Sequence, residues 1–199
     1  MRSEEQVSLR FPRAGVFISL GVIGPATVRS LAWAAPHHII LESPTLKPGQ
    51  LIPRQHTTQG ANTSPALIWR GLPSNTKQIA VTLEDHDTHF PTDTVFLQWM
   101  VYGIPPTAKG LPQGLPIGEI VQAPADIRGA FQALTHFDEP GYRGPQPPVG
   151  ELHHYRFTVY ALDEELVWQP GLFANNVLDA IRPHVVGEGE IAATYQRTP

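Results

Sequence analysis

Residues 141–162 read GYRGPQPPVGELHHYRFTVYAL, and no other stretch limits the possible folds so tightly. Gly141, Gly144 and Gly150 are mixed with Pro145, Pro147 and Pro148, so this backbone is bent, stiff and kept out of helix or sheet pairing. A shaped surface loop is expected. The chain then enters LHHYRFTVYAL, whose aromatic and β-branched residues are the composition of a strand in a core. Alternation puts His153, Tyr155, Phe157 and Val159 on one face, and His154, Arg156, Thr158 and Tyr160 on the other. The first face turns polar where it meets the loop. His153 and the Tyr155 hydroxyl are therefore expected at the rim of a core, beside glycine amides that can approach a ligand closely. A rigid loop feeding a central strand is a good way to hold such groups still.

The 199 residues suffice for one domain with a substantial core and are short for two. Pro at 21 and Gly at 17 residues favour many short strands joined by turns over a helical bundle. A formal charge of -4 argues against nucleic acid or an acidic membrane surface as a partner, since phosphate binding needs a basic face. With Cys 0 there is neither a disulfide framework nor a thiolate nucleophile, and cysteine usage leaves the compartment undecided.

Residues 1–36 read differently from the rest. Arg10 and Arg13 precede AGVFISLGVIGPATV, and small residues follow at Ala32, Ala34 and Ala35, in the manner of a signal-peptidase site. A secretory signal is expected, hence a periplasmic or secreted domain from 37 to 199; an uncleaved extension would leave it cytoplasmic. The apolar run is interrupted by Gly24-Pro25 and is short for a transmembrane helix. Removing the first 35 residues would take away four Arg and two Glu and move the formal charge from -4 to -6.

Strands are expected in HHIILES, ALIW, IAVTLEDHD, VFLQWMVYGIP and GEGEIAATYQR, besides LHHYRFTVYAL. A helix is expected over 173–181, stopped by Pro183, and a short one within 125–134. In IAVTLEDHD the stripe Ile79, Val81, Leu83 continues into Asp85 and Asp87. In VFLQWMVYGIP, continuous enough to be buried on both faces, Gln98 is the polar exception. If these strands are neighbours, Asp85, Asp87, Gln98, His153 and Tyr155 converge on one cleft beside the loop. Each group also has a plain reading. Asp85-His86-Asp87 can be a turn, His153 and Tyr155 can be amphipathic residues at a core edge, and the Pro-rich loop can be a stiff connection.

An enzyme needs a nucleophile or a metal. There is no G-x-S-x-G elbow, no Walker loop and no G-x-G-x-x-G, and Ser64 is explained by its turn. Asp85, His86, Asp87, His89, His153 and His154 include several N and O ligands, but in no recognised metal spacing.

SPTLKPGQLIP, NTSPALIWRGLP, LEDHDTH, FLQWMVYGIP, GYRGPQPPVGELHHYRFTVYAL and EIAATYQR together resemble the phosphatidylethanolamine-binding protein family, and within it the bacterial branch akin to Raf kinase inhibitor protein. The family's first signature, Asp-Pro-Asp-Ala-Pro, stands here as Asp85-His86-Asp87-Thr88-His89, with both prolines gone. Its second, a Gly-x-Pro-Pro loop followed by His-x-Tyr, is close to intact in Gly144-Pro145-Gln146-Pro147-Pro148 and His153-His154-Tyr155. The resemblance implies a mostly β fold, an antiparallel Greek-key sandwich of two packed sheets with a few short peripheral helices. It also implies a small pocket for an anion or phospholipid head group, such as phosphate, acetate or phosphoethanolamine, and no cofactor. The family's pocket looks to a His where this chain has Gln98, which donates a hydrogen bond but carries no charge.

The expected activity is non-catalytic binding through Asp85, Asp87, Gln98, Gly144, Pro145, Pro147, Pro148, His153 and Tyr155. The carboxylates either meet the ammonium end of a zwitterionic head group, or orient His153 and raise its pKa so that it meets the anion. The second version is favoured. The alternatives are an inhibitor of a kinase or protease working through the pocket rim and Pro-rich loop, and a metal-dependent enzyme using the Asp and His cluster.

Overall fold

A computed structural model describes residues 35–88 and 96–199. Residues 1–34, where an export signal is expected, and 89–95, His89 among them, lie outside the described residues. Among the described residues nine strands form two sheets: β1 (His37–His38), β2 (Ile40–Glu42), β3 (Leu67–Arg70), β4 (Gln78–Asp85), β5 (Phe96–Ile104), β6 (Gly110–Leu111), β7 (Phe131–Gln132), β8 (Leu152–Leu162) and β9 (Val185–Gln196). The larger sheet runs β1-β9-β8-β4-β5-β7 and the smaller β2-β3-β6. Every pairing of named strands is antiparallel except β1 with β9.

The long strands are central because both their faces are apolar. On one face Val81, Leu83, Trp99, Phe157, Val159 and Ile191 pack against Leu41, Leu67 and Trp69 of the smaller sheet. On the other, Ala80, Leu97, Met100, Tyr102 and Leu162 meet Val177, Leu178 and Ile181 of the helix α1 (Ala174–Ile181). Each such Val, Leu, Ile, Phe or Met side chain, fully buried, contributes about 1.5–3 kcal/mol. The buried indoles find acceptors, Trp69 Nε1 donating to the Ala108 carbonyl and Trp99 Nε1 to Gln132 Oε1, both at 2.9 Å.

Four sequence expectations shift in detail. HHIILES is divided between sheets: His37–His38 joins β9, Ile40–Glu42 joins β3, and Ile39 is fully buried at the crossing. In 125–134 only a 3-10 turn forms, Ala125–Ile127, followed by Gly129 with φ 89° and then β7, because a left-handed residue ends the turn before it can propagate. The α-helix starts one residue late, at Ala174, and ends at Ile181 as expected; Pro183 sits in a 3-10 turn, Arg182–His184, where its missing N–H costs nothing. The last strand begins at Val185, two residues before Gly187.

Candidate anion-binding site

β4 ends on Asp85, which lies opposite Tyr155 of β8 in register. That pairing carries His153, two residues earlier on the same face of β8, to the acid. The His153 Nδ1–H donates to both Asp85 oxygens, at 3.0 and 2.9 Å; an ionised carboxylate only accepts, so the proton belongs to the ring nitrogen. Asp85 is 2% exposed and His153 6%. Asp85 Oδ1 also accepts the Asp87 and Thr88 amides, at 3.0 and 3.1 Å, and Oδ2 accepts the Thr88 hydroxyl at 3.0 Å. The carboxylate thus closes its own turn and fixes an imidazole. Its acceptor sites are filled.

Asp87 lies past the strand end, where alternation no longer governs direction. Its Oδ2 accepts the His154 amide and the His154 Nδ1–H, the latter at 3.0 Å. Burial would raise its pKa, but these bonds and the charges of His154 and His153 lower it on balance. His153 behaves oppositely. Burial disfavours its charge, yet the hydrogen bond and charge of Asp85, helped by Glu151 and Asp87, outweigh burial and raise its pKa. Glu151 Oε2 lies 3.5 Å from His153 Nε2 and is largely exposed.

Tyr155 is 1% exposed and its ring lies 6.3 Å from that of His153. Its hydroxyl is buried without a hydrogen-bond partner, although the Asp85 carboxylate is near enough to act on it. Burial first, then the negative charge of Asp85 and a side-chain contact with its carboxylate, drives its pKa far upward and keeps the phenol neutral, a donor that Asp85 engages without a well-formed bond.

Asp85, Asp87, His153 and Tyr155 are therefore brought together. Gln98 lies on β5 where the register with β4 skips a residue, two positions from Phe96, the other partner of Asp85. It is buried, its Oε1 is unpartnered, and it forms no hydrogen bond with the acid, imidazole or phenol. The loop residues serve docking. The Gly144 amide, expected to face a ligand, donates to Asn62 Oδ1 at 2.8 Å, and a Cβ on Gly144 would stand 2.1 Å from the His56 carbonyl oxygen. The Pro145 carbonyl accepts the Thr58 amide and hydroxyl at 3.3 and 3.2 Å. Pro147 is buried; Pro148 is exposed, and its carbonyl accepts the Glu151 amide at 3.1 Å, turning the chain into β8.

Sequence reasoning passed over Glu151 and Tyr142. Glu151 stands two residues before His153 and so on its face, which was readable. Tyr142, whose hydroxyl donates to the His56 carbonyl at 2.6 Å and whose ring meets Trp99 edge-on at 5.3 Å, backs Tyr155 from the core, and that depends on the loop's path.

Residues 42–196 match the family described as phosphatidylethanolamine-binding protein. The chain belongs to that family. Among phosphatidylethanolamine-binding protein relatives, a UPF0098 protein of Methanothermobacter thermautotrophicus is 36% identical over 147 residues, 73% of this chain and 91% of that one. The UPF0098 protein YbhB of Escherichia coli is 39% identical over 132 residues, 64% of this chain and 80% of its own. Of solved family structures, Escherichia coli YbcL is similar with a TM-score of 0.69 at 30% identity, covering 79% of this chain and 98% of YbcL. A putative phosphatidylethanolamine-binding protein homologue from Chlamydia trachomatis also gives 0.69, at 28% identity, covering 81% of this chain and 99% of that one. Where the family signature has its first proline, this member has His86, whose Nε2 lies 3.3 Å from Glu84 Oε2.

Proposed function

We propose that the chain is a non-catalytic binding protein that takes a small anion, free or as a phospholipid head group, between the His153 ring and the Tyr155 hydroxyl. The carrying observation is the conjunction of a buried imidazole whose charge is held by Asp85 with a buried phenol that has no acceptor. An anion would accept from the His153 Nε2–H, which otherwise faces only the exposed Glu151 at 3.5 Å, and would offer the hydroxyl an acceptor. Asp85 is a positioning residue, since its oxygens are committed to two amides, a hydroxyl and the ring. The same commitment speaks against metal chemistry, although Asp85, Asp87 and His153 offer ligand atoms within 4.8 Å of one another. A metal would have to break the bonds that shape the turn.

Titration with inorganic phosphate and with phosphoethanolamine tests the reading. His153→Ala is expected to weaken both by roughly a hundredfold, the worth of a charge-assisted bond at a buried site. Unchanged affinity would remove His153 from the site.

A further inference from the structure

A separate concavity of about 290 Å³ is bounded by loop residues 141–146 and the turn at 135–140, and its lining includes none of Asp85, Asp87, His153 or Tyr155. Arg143 dominates it. The guanidinium carbon stands 4.1 Å from the centroid of the Phe137 ring, and Nη2 donates to Gln146 Oε1 at 3.3 Å. Phe137 is itself braced edge-on by Phe96 at 5.3 Å. The stack occupies one face of the planar cation, and one hydrogen bond leaves most of its N–H donors unused; among the described residues no carboxylate pairs with it. Glu139 lines the same concavity, and no hydrogen bond or ion pair reaches its carboxylate from the described residues.

The other polar groups are spoken for. The Tyr142 hydroxyl donates to the His56 carbonyl, the Thr58 hydroxyl to the Pro145 carbonyl, and Thr135 Oγ1 accepts the Phe137 amide. Gln146 keeps its NH₂ free, and so does Asn62. Held at φ 51°, it accepts the Gly144 amide through Oδ1 and leaves its NH₂ as a free donor. The concavity thus presents a pinned cation beside an amide donor, an unpaired anion, and an apolar wall of Phe137 and Ile117, the latter 73% exposed.

We propose that this concavity binds a free amino acid with an apolar side chain. The carboxylate meets Arg143 and the Asn62 amide, the ammonium meets Glu139, and the side chain lies against Ile117 and Phe137. A guanidinium stacked on an aromatic ring is pre-ordered for a carboxylate, so little side-chain freedom is lost on binding. The volume, equal to about ten waters at roughly 30 Å³ each, accommodates a molecule of this size. No polar group is shared with the anion niche, so failure of either reading leaves the other standing.

Calorimetric titration of the full chain with L-phenylalanine, 3-phenylpropionate and phenethylamine tests the assignment. L-Phenylalanine is expected to bind, and the two analogues, each lacking one charge, to bind roughly tenfold more weakly. Arg143→Gln should weaken L-phenylalanine and 3-phenylpropionate roughly tenfold and spare phenethylamine. Glu139→Gln should do the reverse, and Arg143→Lys, which keeps charge but loses the planar fork, should recover part of the loss. In the unaltered protein, L-phenylalanine should shift the ring resonances of Phe137, which guards against variants that fold poorly. Absence of saturable binding up to about 10 mM would overturn the proposal. So would affinity that depends on His153 and not on Arg143.

Discussion

Tyr155 separates a role in holding the fold from a role in binding. Its hydroxyl is buried and unpartnered, so Tyr155→Phe removes no hydrogen bond and relieves a desolvated polar group. Thermal melts should show stability unchanged or raised by up to about 1 kcal/mol, while phosphate affinity falls. A variant less stable by more than that would mean the hydroxyl works for the fold. His153 makes the matching prediction in pH. Because its folded pKa is raised, the imidazolium and the stability it lends are whole below the ordinary value of about 6.5, and are lost as pH climbs through the raised value. Acetate, which stays ionised throughout, should therefore bind best below about pH 6.5 and weaken at higher pH, with a midpoint above that of a free imidazole. Calorimetry across that range checks it; a midpoint at or below 6.5 would contradict the Asp85 coupling. These two residues were legible because strand alternation on β8 is strict. Gly144 was legible as important but not for its reason, since its amide goes to Asn62 and its missing side chain admits the His56 carbonyl.

At the scale of elements, β9 shows how a local oddity records a distant contact. GEGE is poor strand sequence, since glycine gives a strand nothing to pack. The structure supplies the cause: a Cβ on Gly189 would stand 2.1 Å from the Ile39 carbonyl oxygen, and one on Gly187 3.2 Å from that of His37. The incoming chain lies so close to β9 that only hydrogen fits, and the Ile39 amide donates to the Glu188 carbonyl at 2.8 Å. Gly189→Ala should therefore cost about 1–3 kcal/mol by overpacking against backbone that cannot swing aside. Urea unfolding reads the cost, and limited proteolysis near residues 36–40 should accelerate in step. The sequence marks those glycines as a weak point of the strand, and the partner 150 residues away in the chain is invisible to any local pattern. β8, by contrast, came out of the sequence with its bounds intact, because loop chemistry ends it on one side and Asp163 begins a turn on the other.

For the molecule as a whole, the pairings that matter join remote segments: β4 with β8, β8 with β9, and His37 with Gly187. Such a chain must close long loops before contacts reward it, so its main refolding phase is expected within about a millisecond to a second. Stopped-flow refolding from urea measures this, and microsecond folding would mean that local structure carries more of the stability than the sheets do. Many short strands were legible from composition and turn chemistry, the antiparallel sandwich was implied by the family resemblance, and among the named strands that expectation fails only for β1, where the chain leaves one sheet for the other at Ile39. That crossing has a consequence for any trimming of the front of the chain. His37 and His38 are the hem of the larger sheet, and a peptidase that cut beyond them would bare the outer backbone of β9 around Gly187, an adhesive rim for other chains. A cut at Ala35 would keep the hem, and one a few bonds later would strip it.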